Sequence, residues 1–534
     1  MKKKPFAYLL ILVLAVGLAV RLYRLDLRPM HHDEANQAYK FGQLLEKGEY
    51  RYDPSDHHGP TLYYFSLPFA WLSGQTAYAG LTEKTLRGLT VFFGLLIIFL
   101  LLAAGNNLKS SEKFWAAALL ALSPALVYYS RFYIQETLFV FFSLASVIFL
   151  WRFVFRPDFR QAVWLGLASG LLFATKETWV IVAGAAATSL VLLQLPGWLK
   201  NSGRRSEKGE RKLKIDLTAV KSVVLPSLLA VAVFLAVSFL FYSSFFKHPG
   251  GFLDVFRASG GYLKKAAEPG WHRHGFWYYF SLLFYRRAEA GGPLFSEIPV
   301  LALALYGAIL SFIRLSRKPH ENFRVYLTLF ALTTAIIYSA IPYKTPWNML
   351  VFLAAFLLLA GVGFSHLLSL LKFRQAKVIL AGALVIWSGW QMYLVNIYFH
   401  SYPANPYVYA QTSPDFMRLV SRVEELASVS KNGREMLIKV IAPAEETWPL
   451  PWYLRKFDRV GYWTSSEQVE ALEPAECAIL SAGEARKRSG AELDSYVLQY
   501  YSLRPDVLMV LAIREDLWEN YRLRKITALP ETKK

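Results

Sequence analysis

The sequence has few cysteines and few charged residues for its size. A single cysteine, Cys477, among 534 residues excludes a disulfide framework and any zinc or iron–sulfur site built from cysteines. Charged residues make up only 18% of the chain, whereas 54% is hydrophobic, which excludes a disordered chain and disfavours a soluble enzyme. The composition therefore indicates a membrane protein.

Long apolar runs recur through the first 400 positions. Crossing about 30 Å of hydrocarbon takes roughly 20 helical residues. About eleven spans are predicted on that basis, at 6–24, 86–104, 113–130, 137–155, 160–175, 177–196, 222–243, 297–314, 323–341, 346–369 and 376–396. The aromatic segment 62–80 contains Pro68 and Gly74 and is expected to lie at the interface instead of crossing. The predicted fold class is a polytopic α-helical membrane protein.

The net charge of +20 raises the question of a nucleic-acid partner. Most of the excess basic charge lies in alternate connections, on the side that holds Lys2, Lys3 and Lys4, whereas residues 397–534 are nearly balanced in charge. This distribution follows the positive-inside rule, so the N terminus is expected in the cytoplasm and the basic segment 198–221 near anionic lipid. Nucleic acid is therefore not expected as a partner.

The last part of the chain has a different pattern. From about residue 397, short β-type runs alternate with helical stretches, an order typical of a small α/β domain. Strands are predicted at 436–441, 477–480 and 507–513, and helices near 414–429, 465–472 and 515–522. An odd number of spans after a cytoplasmic start puts this domain outside the cytoplasm.

The predicted organisation is a transmembrane module at 1–396 and an extracytoplasmic α/β domain at 397–534. The first long loop, residues 21–85 (the first loop), is expected on the outer side of the cell membrane and is the predicted catalytic loop. The α/β domain contains no Gly-rich phosphate-binding loop, and its Glu445 and Glu446 fit a solvated loop better than a site. No chemistry is assigned to that domain.

The first loop is dense in titratable side chains. They include His31, His32, Asp33, Glu34, His57 and His58. A solvent-exposed loop that contains no site, and in which Asp33 helps to cap the following helix, would also explain these side chains. The composition of the first loop therefore does not decide whether the loop is an active site.

Charged residues recur at the other predicted outer ends of spans. They are Arg131 and Glu136 before the span 137–155, Lys176 and Glu177 between the spans 160–175 and 177–196, and Lys344 in the turn 342–347. A charge at the hydrocarbon boundary is costly unless it is paired, hydrated or lining a cavity. One such residue fits a snorkelling anchor, but several on the same side as Asp33 indicate a site.

Six short motifs, in this order, resemble those of the GT-C glycosyltransferases. They are HHDEANQAYKFGQLL, YDPSDHHGPTLYY, YSRFYIQE, ATKET, IPYKTPWN and NPYVYAQTSPDF, spread over about residues 1–415. The sequence is most similar to the branch of protein O-mannosyltransferases and bacterial aminoarabinose transferases, and within it to a subgroup described in archaeal glycosylation loci as flippase-activity-associated.

The resemblance implies transfer of one sugar from a polyprenyl-phosphate donor to a protein, lipid or glycan acceptor on the outer face, usually with inversion. It implies that Asp33 is the base and that Glu34 positions the acceptor or a neighbouring group. Glu136 would orient Arg131 or share the base role. The residues expected to contact the donor phosphate are Arg131, Lys176 and Lys344. Membrane lipid is the remaining expected partner.

The histidines of the first loop raise the question of a metal. Possible ligands for zinc, manganese or magnesium are His31, His32, His57 and His58, with Asp33 or Glu34. Adjacent histidines point in different directions on a helix or strand, so at most one of each pair would face an ion. A divalent cation is therefore an open alternative, and no other cofactor is expected.

Two other functions stay open beside a glycosyltransferase. The name of the resembling subgroup suggests a flippase or transporter for lipid-linked oligosaccharides. Transporters show internal repeats and interrupted helices near the bilayer midplane, whereas the charges here lie at span ends, which favours surface chemistry over passage. The third hypothesis is a non-catalytic scaffold whose outer domain docks a glycosylation partner.

Overall fold

The computed structural model describes residues 3–54, 58–202, 217–257, 270, 272–287, 292–488 and 490–527. The predicted site residue His57 lies outside these ranges. So does most of the basic segment predicted at 198–221.

The first three quarters of the chain is helical. Its helices are α1 Lys3–Leu22, α2 His32–Lys47, α3 Thr61–Leu72, α4 Glu83–Phe99, α5 Ser110–Leu122, α6 Pro124–Ser130, α7 Glu136–Phe155, α8 Phe159–Phe173, α9 Trp179–Ser202, α10 Leu217–Tyr242, α11 Tyr278–Phe284, α12 Ile298–Ile313, α13 Phe323–Ala340, α14 Leu350–Leu370 and α15 Arg374–Tyr393. A further helical segment covers 251–257, and the short strands β1 Arg286–Arg287 and β2 Leu294–Phe295 pair antiparallel.

Several of the described helices are long and apolar enough to cross a membrane. Six meet this criterion, at Glu83–Leu102, Glu136–Phe155, Ser222–Tyr242, Phe323–Ala340, Pro346–Leu370 and Arg374–Tyr398. Shorter apolar helices cover Phe6–Leu22, Phe159–Phe173, Trp179–Gln194 and Ile298–Ile313. The protein is therefore a polytopic membrane protein, as its composition predicts.

The predicted span 113–130 is wrong as one continuous helix. The structure has two helices there, because Pro124 has no N–H to continue the hydrogen bonding of α5. Ser123 ends α5 and caps α6, accepting the Leu126 N–H at 3.5 Å. By contrast, α3 within the predicted interfacial segment has 12 residues, too few to cross a bilayer.

The connections between helices separate into two ends of the bundle. At one end, Glu34 of the first loop accepts the Tyr133 N–H at 2.8 Å, and Lys176 donates to the side chain of Asn348 at 3.3 Å. At the other end, Arg324 donates to Glu112 at 2.7 Å. The first end, which carries the connections expected on the outer side, is called the loop-rich end. Which end faces outward stays a prediction.

The C-terminal part is a small α/β domain, as predicted. Its strands are β3 Ile438–Ile441, β4 Val460–Trp463, β5 Cys477–Ser481, β6 Tyr496–Arg504 and β7 Val507–Arg514. The sheet order is β4-β3-β5-β7-β6, with β3 parallel to β4 and β5, and β7 antiparallel to β5 and β6. Its helices are α16 Pro414–Ala427, α17 Ala444–Thr447, α18 Leu450–Tyr453, α19 Ala482–Lys487, α20 Gly490–Leu493 and α21 Glu515–Thr527.

Two features of this domain differ from the sequence prediction. The predicted helix 465–472 is only a 3₁₀ turn at Ser466–Gln468, and the strands β4 and β6 were not predicted. Both strands lie at the edges of the sheet and are only partly buried. An edge strand lacks the continuous apolar run that identifies a central strand such as β5.

The α/β domain packs on the first loop. The Met30 N–H donates to the Tyr453 hydroxyl at 2.8 Å, and Thr412 donates to the Met30 carbonyl at 2.7 Å. The Trp452 indole donates to Glu83 at the start of α4, also at 2.8 Å. The domain therefore lies at the loop-rich end, directly over α2.

Candidate active site

His31, and not Asp33, caps the helix α2. Its Nδ1 accepts the Asp33 N–H at 3.0 Å, and Glu34 Oε2 accepts the His31 N–H at 3.1 Å. Burial lowers the pKa of the His31 ring, which favours the neutral form whose Nδ1 can accept. Both acids therefore lie in the first turn of α2, where the helix dipole favours negative charge.

Glu34 is completely buried in a bidentate ion pair with Arg87 of α4. Arg87 Nε and Nη2 each donate to one Glu34 oxygen at 2.8 Å, and the Tyr133 N–H donates to Oε1 at the same distance. Arg87 also donates to the carbonyls of Leu25 and Arg28 at 2.9 Å. Burial alone would raise the pKa of Glu34, but the Arg87 guanidinium outweighs it and lowers that pKa. Glu34 thus positions its neighbours.

Asp33, the next residue along the chain, lies in a different environment. Its side chain is 38% exposed, and its Oδ2 lies 3.8 Å from Nδ1 of the His31 ring. Burial raises the pKa of Tyr343 and Tyr409, and the charge of Asp33 adds to both shifts. The Asp33 carboxylate therefore stays partly open to solvent, and its charge acts on both phenols.

An aromatic cluster lies beside the first turn of α2 and includes His31, the residue that caps this helix. It consists of His31, His272, Tyr343, Trp347 and Tyr409. The His272 Nδ1 and the Tyr409 hydroxyl are 2.7 Å apart, and the His272 and Tyr343 rings are 4.6 Å apart. His31 Nε2 lies 2.9 Å from the Tyr409 carbonyl, and the Trp347 ring packs edge-on against Tyr409. The cluster joins the first loop, the connection before α11, the turn 342–347 and the lead into the α/β domain.

Lys176 lies at the loop-rich end beside the turn that carries Trp347. Its Nζ contacts Glu136 Oε1 at 2.5 Å and Asn348 Oδ1 at 3.3 Å, and both charged side chains are buried. Glu136 therefore pairs with Lys176, and the expectation that it orients Arg131 is wrong. The error arises because Glu136 starts α7 and projects toward the 175–178 turn, whereas Arg131 ends α6.

His58 holds the end of the first loop against the 175–178 turn. Its Nδ1 lies 2.7 Å from Glu177 Oε2, and Tyr52 donates to the other oxygen of Glu177 at 3.1 Å. A Cβ at Gly59 would lie 2.2 Å from the Ala174 carbonyl oxygen. Only glycine permits this close approach, so Gly59 allows the chain beside His58 to pack on this turn.

Arg131 is directed toward the end of α1. Its Nη2 donates to the carbonyls of Tyr23 and Arg24 at 2.9 and 2.8 Å, and its own carbonyl accepts from Arg28 at 2.8 Å. Burial and the neighbouring arginines lower the pKa of Arg131 to about 9, so its charge persists at neutral pH. Arg131 therefore contacts the first loop, but it shares none of the contacts described for Lys176.

Lys344 lies beneath the aromatic cluster. Its Nζ donates to the carbonyl of His274 at 3.0 Å and to that of Ile341, and its backbone N–H donates to the His272 carbonyl at 2.9 Å. Burial lowers the pKa of this ammonium group. Lys176 and Lys344 therefore both contact the segment 341–348, one through Asn348 and the other from within it.

The described histidines of the first loop do not converge on one point. The His31 ring contacts the Tyr409 carbonyl, the His32 ring lies beside the Trp448 ring, and the His58 ring contacts Glu177. Within the described ranges, no group of three or more His, Cys, Asp or Glu side chains could hold a metal ion. The described residues therefore do not fit the metal alternative, and His57 lies outside them.

Four residues of this region were missed from the sequence: Arg87, His272, Asn348 and Tyr409. Arg87 lies in a span-like segment, and its position three residues after the interfacial Lys84 is typical of a boundary anchor. Asn348 and Tyr409 lie inside two of the six motifs and His272 lies outside all of them, and nothing in a short motif tells which of its side chains belongs to a site. Only their packing singles them out.

A cleft of about 930 Å³ opens beside the aromatic cluster. It lies between the segment 398–414 and the β6–β7 hairpin, and its lining includes Tyr398, His400, Tyr402, Tyr409, Glu445 and Arg504. Burial lowers the pKa of Arg504, and the charges of Glu446, Glu445 and Asp33 oppose that shift. The cleft shares Tyr409 with the aromatic cluster and is large enough for a substrate.

Comparison with known proteins agrees with this arrangement. Residues 11–245 match the family model for dolichyl-phosphate-mannose-protein mannosyltransferase. No curated protein sequence matches the chain.

Solved structures share the fold over almost the whole chain. ArnT from Cupriavidus metallidurans bound to undecaprenyl phosphate is 15% identical with a TM-score of 0.60, covering 95% of this chain and 98% of ArnT. The oligosaccharyltransferase AglB from Archaeoglobus fulgidus, in complex with an inhibitory peptide and a dolichol-phosphate, is 11% identical with a TM-score of 0.54, covering 97% of this chain and 77% of AglB. The oligosaccharyltransferase of that organism was also solved in complex with Zn and sulfate, at 12% identity, a TM-score of 0.52 and coverage of 96% and 76%.

The family match covers the first loop, α2, Arg131, Glu136 and Lys176, and the common fold extends through the α/β domain. The chain is therefore similar to the mannosyltransferase family over residues 11–245, and it shares the fold of ArnT and AglB over almost its whole length.

Proposed function

We propose that this protein transfers a sugar from a polyprenyl-phosphate donor to an acceptor at the loop-rich end, on the outer face of the membrane. Transfer inverts the anomeric carbon, and Asp33 is the general base. The fold is shared with ArnT solved with undecaprenyl phosphate and with AglB solved with a dolichol-phosphate, which supports a lipid-linked donor. The extracytoplasmic location rests on the charge bias of the connections.

The observation that carries this proposal is the contrast between two adjacent acids. Glu34 has its oxygens occupied by Arg87 and two backbone N–H groups, whereas Asp33 is partly exposed beside the aromatic cluster. A general base must have an oxygen free to reach the proton it removes. Of the two, Asp33 meets that requirement.

The reaction assigned to Asp33 is a single displacement. A hydroxyl oxygen of the acceptor forms a bond to the anomeric carbon while the bond from that carbon to the phosphate oxygen breaks. The proton of the acceptor hydroxyl moves to an Asp33 carboxylate oxygen, and the electron pair leaves with the polyprenyl phosphate. Asp33 would lie on the sugar face opposite the leaving group, which gives inversion.

Lys176 and Lys344 are assigned to the leaving phosphate. Both are buried and both contact the segment 341–348 beside the aromatic cluster. An ammonium group has three donors, so Lys176 could contact a phosphate while it keeps its contact with Glu136. Charge that grows on the phosphate as the glycosidic bond breaks would then be stabilised. Glu136 and Arg131 are assigned to holding this framework.

No step of this proposal uses a divalent cation, because the described residues offer no cluster that fits one. A chelator added to purified protein tests this point. We expect unchanged turnover, and a loss of turnover that manganese, magnesium or zinc restores would contradict it.

The base assignment is tested by replacing Asp33 with Asn, which keeps the shape and removes the charge. General bases typically contribute about 10²–10⁴-fold to a rate, so we expect transfer from a radiolabelled polyprenyl-phosphate sugar in proteoliposomes to fall by at least about 100-fold. The matched control is Asp26→Asn, also in the first loop and paired with exposed Lys84, which should retain activity. Wild-type turnover by Asp33→Asn would overturn the assignment.

A further inference from the structure

One face of α2 is open and polar along its whole length. Asp33, Asn36, Lys40, Gln43 and Lys47 follow each other at intervals of three and four residues, which places them on one side of the helix. The opposite side carries the buried residues of α2, among them Glu34, Ala38 and Phe41. The open face therefore begins at the proposed base and leads away from it.

A second cleft, separate from the one beside Tyr409, covers this open face. Its volume is about 480 Å³, within the range of about 300–1,000 Å³ typical of small-molecule sites. The side chains that define it include Asn36, Lys40, Gln43 and Lys47 of α2, Arg51 of the first loop and Trp448 of the α/β domain. We call it the α2 cleft.

Trp448 connects this cleft to the first turn of α2. Its ring centroid lies 6.3 Å from that of His32, next to Asp33, and 6.0 Å from that of Tyr39. Tyr39 is itself 42% exposed. An indole and a phenol thus form an aromatic wall at the end of the cleft nearest to Asp33. The α/β domain supplies the indole by packing over the first loop.

The chemistry of the lining points to a ligand rich in hydroxyl groups. Its amides both donate and accept hydrogen bonds, and its charged groups include both signs, with Glu49 and Asp53 beside Lys40, Lys47 and Arg51. A surface of mixed charge does not select a strongly anionic ligand such as a nucleic acid. Aromatic rings beside hydrogen-bonding side chains suit a ligand with both apolar C–H faces and hydroxyls. Sugars have this combination.

The length of the open face bears on the size of the ligand. From Asn36 to Lys47 the helix rises by about 16 Å at 1.5 Å per residue. That length exceeds a single sugar ring, so the cleft suits a chain of several sugars with one end near Asp33.

From these features we propose that the α2 cleft binds an oligosaccharide that serves as the acceptor or as its sugar-bearing part. The site is built jointly by α2 and Trp448, which gives the α/β domain a task in acceptor recognition. This inference rests on the proposed function for its link to transfer, but the binding itself can be measured without turnover.

The first experiment measures binding of purified full-length protein to arrayed neutral oligosaccharides of graded length, with unglycosylated peptides on the same array. We expect the oligosaccharides to bind, and binding to tighten as the chain lengthens. Preferred binding of peptides, or no binding of oligosaccharides above background, would overturn the proposal.

Variants then locate the binding. Trp448→Ala and Gln43→Ala should each weaken oligosaccharide binding, Trp448→Ala by at least about tenfold, and Trp448→Phe should retain most of it. The control is Tyr500→Ala, an exposed aromatic residue on the edge strand β6 away from the α2 cleft. Equal binding by Gln43→Ala and wild type, together with unchanged binding by Trp448→Ala, would contradict the location. Gln43 is exposed on a helix, so its variant is expected to fold.

Asp33→Asn separates this inference from the proposed function. If both hold, this variant loses transfer but keeps oligosaccharide binding. If Asp33→Asn binds oligosaccharide and still transfers sugar, the assignment of Asp33 as the base is wrong, whereas the proposal for the α2 cleft is supported. If transfer is lost in Asp33→Asn but wild type binds no oligosaccharide, the cleft proposal fails alone.

Discussion

The two faces of α2 show how one helix can serve both as framework and as site. On the buried face, Glu34 is completely enclosed and paired with Arg87. On the open face, Asp33 is partly exposed and is followed by the polar lining of the α2 cleft. Consecutive residues on a helix are rotated by about 100°, so adjacent acids can have opposite environments. The two acids of an adjacent Asp-Glu pair can therefore have different functions.

The largest expected effect comes from breaking the buried face. Arg87→Met removes the cation and leaves Glu34 buried without its charge partner, which typically costs about 3–5 kcal/mol. We expect a clear fall in the unfolding temperature of the detergent-solubilised protein.

The matched control for this change is Lys84→Met, one turn earlier on α4. Lys84 pairs with Asp26, and both side chains are at least half exposed, so its loss should cost no more than about 1 kcal/mol. Similar destabilisation by the two variants would mean that the ion pair of Glu34 and Arg87 does not make the main contribution to the stability of the first loop.

The unfolding temperature as a function of pH tests the ion pair on the buried face of α2 in a second way. The pKa of Glu34 lies below its ordinary value of 4.5 in the folded protein because Arg87 outweighs the effect of burial. The resulting stabilisation is present above pH 4.5 and is lost as the pH falls through the folded pKa of Glu34. The difference in unfolding temperature between wild type and Glu34→Gln should therefore shrink in acid below pH 4.5. A difference that stays constant down to the acid limit of solubility would argue against a charged Glu34.

A smaller effect is expected at Lys176, on the site. Lys176→Gln removes the charge assigned to the leaving phosphate but keeps a donor near Asn348. It also leaves the buried Glu136 without its charge partner, so the unfolding temperature is measured beside the kinetics. We expect the KM for the polyprenyl-phosphate donor to rise by about tenfold, equivalent to about 1.4 kcal/mol, with little change in the KM for the acceptor. Steady-state kinetics in proteoliposomes measure both.

Lys247→Gln is the control for Lys176, because Lys247 lies at the same end of the bundle but is exposed and donates only to the Gly48 carbonyl among the described contacts. It should leave both constants unchanged. An equal rise in the donor and acceptor constants of Lys176→Gln would assign Lys176 to the framework instead of to the donor.

Much of the architecture could be predicted because hydropathy and charge are local properties. The apolar runs identify the membrane helices, and the alternation of basic connections separates the two ends of the bundle. Strands β3, β5 and β7 were recognisable because these central strands are mostly apolar and buried. The break at Pro124 and the edge strands β4 and β6 were missed because a short helix or an edge strand depends on its neighbours for burial.

The sequence by itself determined the membrane character of this protein, the separation of its connections and the presence of acids at the start of the first loop. Only the tertiary structure decided that Glu34 forms an ion pair with Arg87, that Glu136 forms one with Lys176, and that Trp448 packs beside α2. Hydrophobic pattern depends on each residue and its near neighbours. Contacts between residues far apart in the chain depend on the rotation of each helix and on how the loops pack, which no short motif encodes.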